Sequence, residues 1–174
     1  MNEQEELKGL GGWLILVGFG IVISPFLILY TFAPAYYSIF TSGAFEFLTT
    51  PGTQAYSPLW GPLIIGETVF NGLMVIASFY LAYLFFTKHY LFPRVFIVLT
   101  LATAIFIPLD AWVASFVITD EPMFDPETLK QFSRSLIGVF VWIPYMLVSE
   151  RVKATFVEKR PSGDTEDHAE SVNI

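Results

Sequence analysis

Four long apolar runs divide the chain, at residues 10–33, 63–86, 95–118 and 132–149, and charged residues crowd the two ends and the breaks between runs. Runs of this length with few charges read as membrane-spanning helices. At about 1.5 Å per residue the first three reach about 36 Å, enough to cross about 30 Å of hydrocarbon with some tilt. The fourth is short: fifteen residues separate Arg134 from Glu150, or about 22 Å. A spanning helix there must draw a flanking charge toward the lipid. The pattern predicts an all-α membrane protein: an antiparallel bundle of four transmembrane helices at about 10–33, 62–86, 93–118 and 126–152.

The breaks are unequal. "TKHYLFPR" is tight and pairs the second and third helices. The first long link, residues 34–61, is aromatic. Tyr37, Phe40, Ala44 and Phe47 follow helical spacing, while "TTPGTQAYSP" reads as turn. An amphipathic interfacial helix followed by a loop is expected there, serving as an aromatic belt or as a lid. The alternation in "FEFLTT" leaves a short β-structured segment as a third reading. In "TDEPMFDPETLKQ", Asp125 is an N-cap, Pro126 suits the first helical position and Glu127 favours the dipole. Beyond Arg160 the chain is polar and aperiodic, so 158–174 is expected to be a disordered tail.

Composition supports a lipid solvent: 54% of the 174 residues are hydrophobic and only 14% charged, against about 25% charged in soluble domains. "MNEQEELKG" is acidic and the first run long, so a retained helix is expected rather than a cleaved signal peptide. Orientation follows from the basic residues. With the N-terminus inside, Lys8, Lys88, Arg94, Arg151, Lys153, Lys159 and Arg160 face the cytoplasm, and only Lys130 and Arg134 lie outside. Both termini are therefore expected in the cytoplasm. The net charge of −7 then resides mostly in solvated tails, and no nucleic-acid footprint is present.

Ionisable groups inside the spans are costly, about 2.5–3.5 kcal/mol each near the bilayer centre, so they are expected to face inward and find partners. Glu67 lies about 8 Å along its helix from the outer end, and Asp110 about 15 Å from the same side. Arg134 enters from that side too. Glu67, Asn71, Asp110 and Arg134 are therefore predicted to form one polar cluster in the outer half of the bundle. Arg134 would neutralise at least one acid, and the deeper Asp110 would keep its proton. Two plainer readings compete: an Arg134 that snorkels to the outer headgroups, and a cluster that only fixes helix register. Pro25, Pro108 and Pro144 each free a backbone carbonyl within a span. Gly11, Gly18, Gly20, Ser24 and Gly138 mark close helix approaches.

No cysteine is present, and the two histidines fall in a turn and in the tail, so no metal or cofactor is expected. No nucleophile–base arrangement or phosphate loop appears, and an enzyme is not expected. Three blocks, "GLGGWLILVGFGIVISPF", "GETVFN" and "VWIPYMLVSERVKATF", resemble the domain-of-unknown-function family 2569, small four-helix proteins of bacterial inner membranes. The resemblance runs from Gly9 to about Val157, with Glu150 as a departure from a more basic segment. It implies location and topology but no activity. The expectation is a non-enzymatic helper that binds lipid or a membrane protein partner, or forms a homo-oligomer. The alternative is an oligomeric proton-coupled transporter or channel using the polar cluster.

Overall fold

The computed structural model describes residues 9–156. The tail expected at 158–174 lies outside them. Among the described residues, four helices are long and apolar enough to cross a membrane: Trp13–Thr41, Trp60–Phe86, Phe92–Ala114 and Pro126–Val148. They are α1 (Trp13–Thr41), α3 (Trp60–Phe86), α4 (Phe92–Ala114) and a composite fourth span. That span joins α5 (Pro126–Ile137), a π-helical turn at Gly138–Trp142, and α6 (Ile143–Val148). Two short helices complete the order, α2 (Ala44–Thr49) after the first span and α7 (Glu150–Thr155) after the last. Among the described residues no strand is present. The chain is a multi-pass, all-helical membrane protein.

The first span is longer than its apolar run. It continues through Pro34 to Thr41, so Tyr37 and Phe40 extend α1 rather than starting a separate interfacial helix. Gly43, at φ 79 and ψ 3, breaks the path, and "AFEFLT" follows as helix rather than strand. Polar side chains relieve the prolines where they can. Pro25 cannot donate to the Ile21 carbonyl, and the Ser24 hydroxyl does so instead at 3.2 Å. Pro144 follows the π-helical turn, whose wider ladder accommodates a missing donor.

The spans pack in chain order, α1 on α3, α3 on α4, and α4 on the fourth span, without comparable packing between α1 and α5. Most of their large apolar side chains face outward, as lipid contact requires. The buried core gathers at the end of the bundle nearest residues 9 and 156, here called the terminal end. It holds Leu14, Val17, Ile21, Leu81, Leu84, Phe85 and Phe92. Gly18 permits this packing, because a Cβ there would stand 2.7 Å from the Phe85 ring.

The segment after the last span closes this end. Ser149 leaves the helical region at φ −64 and ψ 119, and its hydroxyl accepts from the Val152 amide to cap α7. The chain then folds back under the bundle and buries Val152, Thr155 and Phe156. Phe156 stacks on Phe92 with ring centroids 4.3 Å apart. The Gly9 amide donates to the Thr155 hydroxyl at 3.2 Å, which in turn donates to the Gly9 carbonyl at 3.2 Å. Both described chain ends are thus tied together. The opposite, distal end has no such plug and encloses a cavity.

Candidate functional site

The distal cavity has a volume of about 340 Å³ and is lined from all four spans, within the usual range of about 300–1,000 Å³ for small-ligand sites. Helical spacing explains which side chains reach it. On α1, Ile28 and Phe32 continue the inward stripe of Val17, Ile21 and Pro25. On α3, Glu67, Phe70, Asn71 and Met74 recur every three or four residues. On α4, Thr103, Phe106, Ile107 and Asp110 do the same. Thr128 and Gln131 contribute from α5, one turn apart.

Two polar relationships organise the site. The carboxyl groups of Glu67 and Asp110 lie close to each other across α3 and α4, both lining the cavity. Beside them, the Asn71 amide nitrogen donates to the Tyr36 hydroxyl at 2.8 Å and to the Glu67 carbonyl at 3.0 Å. One turn along the same two helices, Phe70 and Phe106 stack nearly parallel, with centroids 3.6 Å apart.

Glu67, Asn71 and Asp110 therefore meet, as their depth in the membrane predicts. Arg134 does not join them. Its side chain is exposed, is absent from the cavity lining, and pairs with no carboxylate among the described residues. The reason is angular. At about 100° per residue, Arg134 lies about 60° beyond Gln131 and about 120° from Thr128, off the face those two turn inward. The expected acid–guanidinium cluster is instead an acid–acid pair.

The hydropathy pattern does not point to Tyr36, because the first apolar run ends at Pro34. With α1 continuing through that proline, Tyr36 falls one turn beyond Phe32 and faces Asn71. Asp125 caps α5 as its sequence context predicts, accepting from the Glu127 amide at 2.7 Å and the Thr128 amide at 3.0 Å. The Thr128 hydroxyl also donates to it at 2.7 Å. These bonds hold the Asp125 carboxyl below the usual carboxylate range. Asp125 stands at the mouth of the cavity with Glu121.

A family model described as a protein of unknown function, DUF2569, matches residues 7–157, nearly the whole chain. The chain belongs to the DUF2569 family. The match takes in every residue of the cavity and the returning segment through Phe156. No curated protein and no solved structure matches this DUF2569 chain.

Proposed function

We propose that this DUF2569 protein is a non-enzymatic membrane helper whose distal pocket binds a small amphipathic ligand drawn from the surrounding leaflet. One observation carries the reading: a cavity of about 340 Å³ that combines a carboxyl pair with a stacked aromatic wall. Its inner end is blocked by the buried core and by the returning α7. The weak packing between α1 and α5 favours lateral entry from lipid. Among the described residues, Lys88, Arg94, Arg151 and Lys153 lie at the terminal end, and Lys130 and Arg134 at the distal end. By the positive-inside rule, this favours termini in the cytoplasm and a pocket in the outer leaflet. A bacterial inner membrane suits that arrangement.

Gentle extraction followed by native mass spectrometry tests the reading. A bound amphiphile should accompany the protein, and filling the cavity through Ala114→Trp should remove it while the variant remains folded. Unchanged adducts in that variant would count against the pocket.

The carboxyl pair also favours a second reading, proton-coupled transport. Below Met74 the interior turns apolar, with Leu81, Leu84 and Phe92 buried and the Ser78 hydroxyl bonded to the Met74 carbonyl. Transport would require that core to open. Flux into proteoliposomes that responds to pH and disappears in Glu67→Gln would support it over the helper.

A further inference from the structure

We propose that the distal pocket recognises an alkylammonium group, a protonated amine on an apolar tail, with the amine at the Glu67–Asp110 pair and the tail along the neighbouring Phe32, Phe70 and Phe106 rings. This deepens the reading of the cavity as a ligand site and depends on it. The first argument is charge. The ionisable carboxyl groups lining the cavity come from α3 (Glu67), α4 (Asp110), the cap of α5 (Asp125) and the loop before it (Glu121). No Lys, Arg or His lines it among the described residues. Lys130 pairs with Glu127 at 3.4 Å on the exposed surface, and Arg134 faces away. Among the described residues, the spans thus hold an acidic pair with no lining cation, an expensive arrangement in a membrane. A ligand cation would supply the missing charge.

The second argument is the wall. Phe70 and Phe106, stacked on each other, line the cavity beside the carboxyl pair, and Phe32 adds a third ring from α1. Aromatic faces beside carboxylates suit an ammonium group better than a neutral or anionic one. Zwitterionic headgroups fit poorly, because no lining cation awaits their phosphate. The third argument is charge balance. Ionised carboxyl groups hold an ammonium group far better than protonated ones do. Binding and protonation then compete, and affinity should fall as pH is lowered.

The test uses the full chain in neutral maltoside micelles, titrated calorimetrically with n-octylammonium, n-octanol and n-propylammonium. Octylammonium should bind about tenfold or more tightly than octanol, as expected for charge-assisted hydrogen bonds in place of neutral ones. Its binding should weaken as pH falls. The double variant Glu67→Gln/Asp110→Asn should lose that preference while still binding octanol, which also reports that the pocket remains folded. If octylammonium and octanol bind equally, and Ala114→Trp blocks both, the pocket survives and the ammonium assignment is wrong. If neither binds, the pocket reading itself fails and this inference falls with it. Propylammonium binding as tightly as octylammonium would keep the ammonium and assign its source to the aqueous phase. A strong preference for the longer chain would assign it to the membrane.

Discussion

Asn71 reaches Tyr36 across the distal halves of α3 and α1, donating its amide to the tyrosine hydroxyl at 2.8 Å while also holding the Glu67 carbonyl at 3.0 Å. Hydrogen bonds between membrane helices contribute about 0.6 kcal/mol on average and about 1.7 kcal/mol at most. Tyr36→Phe should therefore cost about 1 kcal/mol, and Asn71→Leu somewhat more because it also strips the contact to Glu67. Thermal unfolding of both single variants and the double variant measures the coupling. Additive losses would mean that the two side chains do not act together.

Gly18 and Gly20 make a matched pair for testing helix approach. A Cβ at Gly18 meets the Phe85 ring at 2.7 Å, whereas one at Gly20 has nothing within 4 Å. Phe85 is buried among Phe92 and Phe156 and has little room to yield. Gly18→Ala should destabilise by about 1–3 kcal/mol through overpacking. Gly20→Ala should be neutral or stabilising, because alanine is the better helix former by about 1 kcal/mol. Equal melting temperatures for the two variants would contradict this account of the α1–α3 contact.

The returning segment should matter more than its length suggests. Phe156 is buried against Phe85 and Phe92, so Phe156→Ala should cost about 3–5 kcal/mol. Thr155→Val should cost about 1 kcal/mol by removing both bonds to Gly9. Protease cleavage after Lys153 should accelerate in both variants, most in Phe156→Ala.

Asp125 gives a pH dependence of definite sign. Its carboxyl is held below its ordinary value by bonds that only the folded cap supplies. That stability is present above the unfolded value of about 3.9 and is lost as pH falls through the lower folded value. The Glu127 and Thr128 amides should therefore exchange faster, relative to the acid-corrected intrinsic rate, once pH drops below about 4. Asp125→Asn should keep much of the cap and remove the pH dependence. Persistence of that dependence in the variant would assign it elsewhere.

Much of this was readable from residue order because lipid imposes a simple rule: apolar runs must be helical and inward acids must find company. That rule predicts the four spans and the meeting of Glu67 with Asn71 and Asp110. It does not predict the partner. Arg134 has a long stem that can reach water from an outward face, so its charge does not oblige it to turn in. Nor does hydropathy see past Pro34, where a membrane helix can continue once its neighbours satisfy the backbone. Tyr36 was hidden for that reason. The break at Ser149 was equally silent, since a helix and a sharp return share the same local composition there.

That return has a consequence for biogenesis. Val152, Thr155 and Phe156 are synthesised only after all four spans, yet Phe156 completes the ring cluster around Phe85 and Phe92, and Thr155 fastens the chain back to Gly9. Insertion and final assembly are therefore separable events. A nascent chain stalled before Ser149 would sit in the bilayer with its base unlatched, and quality-control proteases could tell it from the finished protein.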